Sequence, residues 1–229
     1  MNLGAFFQVY KNKKATEFVL DNFKKNFPSS KVVLISDGGD DFSDLATKYD
    51  CSYFRFENLY GNEENNYPIL PWNSYRIKKW WERQKLTCEE TGAEYIIILE
   101  DDVLVRDRFS IDTPFHLRGA RIGNHLPEAM RRDIKEQGGL DSSIYGMCGG
   151  SIYNSKTFLS VYNSVIKDID ENHDMLLAKG YFELGAVDAN ITYHFGKRGY
   201  AYEASPWMVE MREGNTGGYP IVHQYKELY

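Results

Sequence analysis

Short apolar runs alternate with helix-like stretches along the first half of the chain. Four apolar runs predict strands, at 5–10, 31–36, 52–56 and 95–99. The runs at 31–36 and 95–99 are apolar at nearly every position, as in strands that are buried on both faces of a parallel sheet. Helical spacing predicts three helices, at 14–27, 43–49 and 72–91, with Pro28 and Gly92 as stops after the first and the last. This order predicts an α/β fold with a mixed, mostly parallel sheet flanked by helices.

The pattern loosens in two stretches that carry many Gly, Asn and Pro residues. Residues 58–71 are predicted to form a loop. Residues 106–139 are predicted to form a small antiparallel excursion with a helix near 128–137.

The last third of the chain returns to regular patterns. A glycine-bearing strand is predicted at 145–153 and a helix at 189–195, and the tail at 214–229 is Gly-rich and then aromatic. Between the strand and the helix, one amphipathic helix carries an apolar stripe of Phe158, Tyr162, Val165 and Ile169. No linker or repeat divides the chain, so one domain spanning 1–229 is expected.

Three consecutive carboxylates follow the apolar run at 95–99. Glu100, Asp101 and Asp102 repel one another unless something neutralises them, and a divalent cation does so with hard oxygen ligands that suit magnesium or manganese. The carboxyl end of a strand is also where open α/β sheets bind ligands. The alternative interpretation is an exposed acidic turn.

Composition narrows the classes of function. The net charge is −6 and there is no long basic run, so nucleic acid is not an expected partner. Cys51, Cys88 and Cys148 lack zinc-type spacing and are odd in number, which fits a reducing compartment. No run has the length of a signal peptide or a membrane span, so a soluble, cytoplasmic protein is expected.

The acidic triplet at the end of a central strand gives the chain a layout that resembles glycosyltransferases of the GT-A fold. These enzymes have a Rossmann-like sheet and use a nucleotide-sugar donor and a divalent metal. The resemblance implies a nucleotide-binding half at 1–105 and an acceptor-binding half at 106–229. It also implies Mn²⁺ or Mg²⁺ as cofactor and a UDP-sugar as donor.

The resemblance further implies roles around the metal. Asp102 would ligate it directly, and Glu100 would assist there by reaching the ribose or a metal-bound water. Asp101 belongs to the same donor-binding triplet and would orient its neighbours. His223 lies where many such enzymes have a late histidine ligand.

Donor-binding roles carry over in the same way. The ends of the first two strands would hold the nucleoside through Gln8, Val9, Tyr10, Asp37 and Gly38, where a plain turn at Asp37 and Gly38 is the alternative. The helix before the triplet would supply a basic residue, with Arg76 preferred over Lys78, Lys79 and Arg83. Gly149 and Gly150 would lie against the donor sugar or the acceptor, because glycine permits close approach to a ligand.

Inverting members of this fold carry an acid at the start of a late helix, which deprotonates the acceptor hydroxyl. Asp188 matches this position best and Glu183 is second, whereas a simple helix N-cap is the alternative for Asp188. The resemblance therefore implies transfer of a sugar from a UDP-sugar to a sugar hydroxyl of a glycan acceptor, with inversion. The small size resembles that of soluble bacterial enzymes or enzymes of large DNA viruses.

Two other functions fit parts of the sequence. A sugar-nucleotide nucleotidyltransferase has a similar sheet, but its glycine-rich loop after the first strand is missing at 8–14. A non-catalytic carbohydrate-binding module would explain the 17 Tyr, 13 Phe and 4 Trp residues but not the clustered carboxylates.

Overall fold

The computed structural model describes residues 2–59, 72–120, 126–140, 149–211 and 217–224. The described strands are β1 Leu3–Val9, β2 Val32–Asp37, β3 Cys51–Phe56, β4 Tyr95–Leu99, β5 Leu104–Val105, β6 Leu117–Gly119, β7 Ile152–Asn154, β8 Tyr202–Ala204, β9 Met208–Glu210 and β10 Ile221–His223. The described helices are α1 Lys13–Asn26, α2 Ser43–Lys48, α3 Ser74–Thr91, α4 Glu128–Glu136, α5 Ser155–Ala178 and α6 Val187–Lys197, with a 3₁₀ turn at Phe182–Gly185.

Seven of these strands form one sheet in the order β3-β2-β1-β4-β7-β6-β8. The strands β1 to β4 pair in parallel, whereas β7 is antiparallel to both β4 and β6. A second sheet has the order β5-β10-β9, in which β10 is antiparallel to β5 and parallel to β9. The predicted fold class, a mixed and mostly parallel sheet with a small antiparallel excursion, is confirmed.

Apolar side chains cover both faces of the large sheet. In β4, Tyr95, Ile97 and Leu99 join the core on the α1 side, while Ile96 and Ile98 join the core on the side of α3 and α5. All five residues are buried, which explains the uninterrupted apolar run in the sequence. The strand that ends in the acidic triplet is therefore held in the centre of the protein.

Several predicted elements differ from those observed in their bounds, among them α3, β7 and α6. Helix α3 begins at Ser74 rather than at residue 72, because the Asn73 side chain caps it by accepting a hydrogen bond from the Arg76 amide. The strand predicted at 145–153 is confirmed only at its end: β7 starts at Ile152, and Gly149 and Gly150 form a turn before it. Helix α6 is longer than the predicted helix at 189–195.

Some sequence predictions fall on parts of the chain outside the described residues. These are most of the loop predicted at 58–71, residues 145–148 of the predicted strand, and residues 214–216 and 225–229 of the tail. Among the described helices, none combines the length and the hydrophobicity that a membrane span needs.

One buried asparagine joins α3, α6 and the 3₁₀ turn. Asn190 accepts a hydrogen bond of 2.9 Å from the indole N–H of Trp81 and donates one of 3.0 Å to the Leu184 carbonyl. Asn190 and Trp81 are both fully buried. Since water does not reach these groups, each depends on the others for its hydrogen bonds.

We expect Asn190→Ala to lower the free energy of unfolding by about 2–4 kcal/mol, because it leaves the Trp81 N–H and the Leu184 carbonyl unsatisfied and opens a cavity. Urea denaturation measures this change. The control is Asn172→Ala on α5, whose half-buried amide bonds Asp168 at 2.9 Å and whose loss should cost about 1 kcal/mol or less. Equal losses in the free energy of unfolding from the two substitutions would contradict the role of Asn190 in joining α3, α6 and the 3₁₀ turn.

Candidate active site

The acidic triplet lies in a tight turn at the carboxyl end of β4. The Val103 amide donates a 3.1 Å hydrogen bond to the Glu100 carbonyl, which closes the turn. Val103 is fully buried, whereas Asp101 is exposed and Glu100 and Asp102 are half-buried. The turn thus separates Asp101 from its two neighbours.

The small sheet brings a histidine to this turn from more than a hundred residues away. Strand β5 follows the turn directly and pairs with β10 through Val105–Ile221 and Leu104–Val222. His223 is the next residue of β10, so the pairing places its side chain beside the triplet. The Nε2 atom of His223 lies 3.3 Å from Glu100 Oε2 and 3.5 Å from Asp102 Oδ1.

The position of Asp102 is electrostatically costly. The pKa of its carboxyl group is raised to about 6: burial is the largest cause, the charge of His223 lowers the pKa, and the charges of Glu100 and Asp101 raise it. Its Oδ1 atom is buried and has no hydrogen-bond partner among the described residues. A buried carboxylate oxygen without a partner is costly, so this atom is poised to bind a positively charged ligand.

Three side chains have the arrangement that a divalent cation requires. The ligand atoms of Glu100, Asp102 and His223 all lie within 4.8 Å of one another. A divalent cation lies about 2.0–2.6 Å from oxygen or nitrogen ligands, so atoms around one cation are at most about 5 Å apart. Two carboxylates, one of which has an oxygen without a hydrogen bond among the described residues, and one imidazole therefore fit a cation site.

A glycine turn supports this cluster from the large sheet. A Cβ atom at Gly149 would come within 3.0 Å of Glu100 Cβ and Cδ and within 2.5 Å of Val103 Cγ2. Gly150 has a φ of +89° and packs against Ile221 and Met208 of the small sheet. Both glycines thus contact the chain of the site itself, whereas their predicted contact with the donor sugar or acceptor stays a prediction.

The ends of β1 and β2 form a second polar cluster, around Asp37. Its side chain is fully buried and accepts hydrogen bonds from Arg83 Nη1 at 2.8 Å, Gln8 Nε2 at 3.1 Å and the Leu59 amide at 3.2 Å. Burial raises the pKa of Asp37, and the Arg83 guanidinium opposes that rise. Arg83 also donates to the Glu57 carbonyl at 2.9 Å.

This cluster bears on two of the predicted donor contacts. Both carboxylate oxygens of Asp37 accept hydrogen bonds from protein groups, and its contact with a base or ribose stays a prediction. The basic residue of α3 that contacts the ends of β1 and β2 is Arg83, whereas Arg76 lies half-exposed in the first turn of the helix. The donor contact predicted for Arg76 also stays a prediction.

Val9, Tyr10 and Gly38, which are also predicted to hold the nucleoside, are neighbours of this cluster in the chain. Val9 is buried at the end of β1, and the Tyr10 carbonyl accepts a 2.8 Å hydrogen bond from the Asp40 amide. The Tyr10 phenol oxygen is buried and has no hydrogen-bond partner among the described residues. Gly38 has a φ of +74°, and a Cβ at Gly39 would lie only 1.6 Å from the Tyr10 carbonyl oxygen. The turn after β2 therefore requires glycine for its own packing.

The two candidate bases lie at the start of α6 and in the 3₁₀ turn before it. Asp188 is in the first turn of α6, and Ala186 occupies the N-cap, so Asp188 is not the N-cap residue. Glu183 is half-buried in the 3₁₀ turn, whose Gly185 carbonyl accepts a 3.0 Å hydrogen bond from the Trp72 amide. Trp72 lies two residues before α3, so this hydrogen bond links the 3₁₀ turn to the start of that helix.

No known protein-family profile matches the sequence, and no curated protein shows significant sequence similarity to it. Solved structures do match. An active-site mutant of LgtC is similar over 96% of this chain and 86% of its own, with a TM-score of 0.51 and 14% identity. The apo form of the glycosyltransferase GlyE from Streptococcus pneumoniae TIGR4 is similar over 99% of this chain and 55% of its own, with a TM-score of 0.54 and 12% identity.

The fold is similar to that of GT-A glycosyltransferases. At these sequence identities, the similarity to the solved structures shows a shared fold alone. The parallel pairing of β1 with β2 and β4 explains why the acidic turn and the ends of β1 and β2 share one edge of the sheet.

The sequence did not single out one residue of the site. Glu210 of β9 is fully buried, and its Oε1 atom lies 2.7 Å from His223 Nδ1. It belongs to a strand of only three residues, which is too short to show a period. Only the pairing of β9 with β10, which sets Glu210 opposite His223, reveals its place.

We expect Asp102→Asn to stabilise the metal-free protein at pH 8 by about 1–3 kcal/mol and to have little effect at about pH 3.5. The folded chain holds a proton on Asp102 between pH 3.8 and about 6, where the unfolded chain has released it. The free energy of unfolding of the wild type therefore falls as the pH rises through this window, and asparagine removes that loss. Urea denaturation in EDTA at both pH values measures it. Destabilisation at pH 8 would show that the ion pair with His223 outweighs burial.

We expect Arg83→Met to lower the free energy of unfolding at pH 7 by about 3–5 kcal/mol, because it leaves the buried carboxylate of Asp37 without its ion pair. Chemical denaturation measures the loss, which should shrink as the pH falls, because burial raises the pKa of Asp37 and the carboxylate takes up a proton. Lys85→Met on the same helix is the matched control, since Lys85 pairs with Glu89 in solvent and should change stability by about 0.5 kcal/mol or less. A small effect at both positions would contradict a structural role for the Asp37–Arg83 pair.

Proposed function

We propose that this protein is a metal-dependent glycosyltransferase that moves a sugar from a UDP-sugar donor to a sugar hydroxyl of a glycan acceptor. The observation that carries the proposal is the cluster of Glu100, Asp102 and His223 at the carboxyl end of β4. In a GT-A-like fold, this is the edge of the sheet at which a ligand is expected to bind.

Asp102, Glu100 and His223 are the residues that would hold Mn²⁺ or Mg²⁺. Their donor set of two carboxylates and one imidazole suits such a cation, and the orphaned Asp102 Oδ1 supports its presence. A bound divalent cation supplies positive charge that stabilises the diphosphate leaving group. Asp101, on the exposed side of the turn, orients its two neighbours in this proposal.

The nucleoside is proposed to lie at the ends of β1 and β2. The buried Tyr10 hydroxyl without a partner supports a polar ligand there. Gln8, which contacts both Asp37 and Arg83, would be the residue of this polar cluster that contacts the ligand. Asp37 and Arg83 act beneath it by fixing the position of Gln8. The first half of the chain, 1–105, would accordingly bind the nucleotide, and 106–229 would bind the acceptor.

Asp188 is proposed as the general base, with Glu183 as the second candidate. A carboxylate in the first turn of α6 can accept the proton of an acceptor hydroxyl as that oxygen attacks the anomeric carbon. Attack from the face opposite the leaving group gives an inverting reaction.

We expect UDP and Mn²⁺ together to raise the melting temperature of the wild type more than either alone, because ligands that bind the folded state stabilise it. In Asp102→Ala, the fold should persist while the joint stabilisation and metal-dependent transfer are lost. Differential scanning fluorimetry and a donor-consumption assay by mass spectrometry measure both. Stabilisation by UDP that ignores Mn²⁺ would contradict the metal assignment, and stabilisation by glycans alone would favour a non-catalytic carbohydrate-binding module.

We expect Asp188→Asn to keep UDP and Mn²⁺ binding and to lower kcat at least about 100-fold, because the amide cannot accept the proton. Glu183→Gln tests the second candidate in the same assay. Asp170→Asn is the matched control, since Asp170 is an exposed acid on α5 that pairs with Lys78. Unchanged transfer by Asp188→Asn would remove this residue from the mechanism.

A further inference from the structure

A third acid contacts the histidine of the acidic cluster, through the other ring nitrogen. In the register of β9 and β10, Glu210 stands opposite His223. Its Oε1 atom lies 2.7 Å from His223 Nδ1, and the Glu210 side chain is fully buried. The two ring nitrogens of His223 therefore face different groups: Nδ1 faces Glu210, and Nε2 faces Glu100 and Asp102.

We propose that Glu210 is a positioning residue that orients His223 for cation binding. The inference rests on the metal dependence of the proposed function. When Nδ1–H of a neutral imidazole donates to Glu210, the lone pair of Nε2 faces the carboxylates of the cluster. Carboxylates that hold a ligating histidine in this way fix the orientation of the ring and make the ligand more basic.

The geometry favours this role over a contact made only for packing. A buried carboxylate costs several kcal/mol unless it is paired, so an apolar side chain would fill the same place in the small sheet more cheaply. The distance of 2.7 Å is that of a charge-assisted hydrogen bond, whereas the Nε2 contacts of 3.3 and 3.5 Å are longer. The shortest contact of His223 is thus the one between Nδ1 and Glu210. The longer contacts of Nε2 with Glu100 and Asp102 are those that a cation would replace.

The strands on which this pair lies are fixed to the rest of the protein. Ile221 of β10 and Met208 of β9 belong to the core on the α1 side and contact Gly150 of the turn before β7. Because backbone pairing sets the spacing between β9 and β10, the Glu210 carboxylate can hold the ring without large movements of its own backbone.

The test is a double-mutant cycle for Mn²⁺ binding to the complete chain. Electron paramagnetic resonance measures the Mn²⁺ that stays free in solution. Glu210→Leu removes the acceptor and should weaken Mn²⁺ binding about 10–100-fold. Glu210→Gln keeps a neutral acceptor and should lose less. In the His223→Ala background, Glu210→Leu should cause no further loss, because its effect passes through the imidazole.

Each outcome decides between the two proposals. Equal losses from Glu210→Leu with and without His223 would show a structural role only and would overturn the positioning role. Wild-type affinity in both Glu210 variants would also overturn it while leaving the cation site intact. Absence of Mn²⁺ binding by the wild type would overturn the metal dependence of the proposed function itself. Circular dichroism checks folding, and if Glu210→Leu does not fold, the cycle is run with Glu210→Gln.

Discussion

The mutual repulsion of carboxylates at the end of β4 is the constraint around which the candidate site is built. Glu100 and Asp102 are brought to one side of a turn, and burial of Asp102 raises its pKa to about 6. Such an arrangement persists only where positive charge is supplied. The chain supplies part of it through His223, which is more than a hundred residues distant in sequence, and a cation would supply the rest.

The small sheet positions His223 beside the carboxylates. Its strands have only two or three residues, too few for stability of their own. They are anchored instead from outside: Val105 and Ile221 are buried in the main core, and Asn26 of α1 donates a 2.9 Å hydrogen bond to the Val105 carbonyl. The position of His223 consequently depends on the packing of the core. A defect in that packing would alter the site without changing any ligand.

Sequence patterns predicted the parts of the protein whose periods are long enough to be distinctive. Local patterns were sufficient to predict the strand at 95–99, α1 and most of α3. A local pattern also predicted the acidic turn at the end of β4. Pairings between distant segments have no such signal. The burial of Asp37 by Arg83 and the contact of Glu210 with His223 both follow from register and packing, and a local pattern in the sequence contains neither. Arg83, over which Arg76 was preferred as the donor-binding residue, is the residue of α3 that contacts β2, and the donor contact of Arg76 stays a prediction.

A second acid in this chain shows how the surroundings of a carboxylate separate a structural role from a ligand role. Asp168 of α5 is also partly buried beside a histidine, and burial alone would raise its pKa, yet hydrogen bonds from His194 and Lys197 hold that pKa well below the usual range. For Asp102, burial is the largest cause and no hydrogen bonds from neighbouring side chains among the described residues offset it, so its pKa is raised instead. The charge of Asp168 is satisfied within the protein, which marks a structural acid. The charge of Asp102 is not, and that difference, rather than the count of acids in the turn, is the physical argument for a cation at this edge of the sheet.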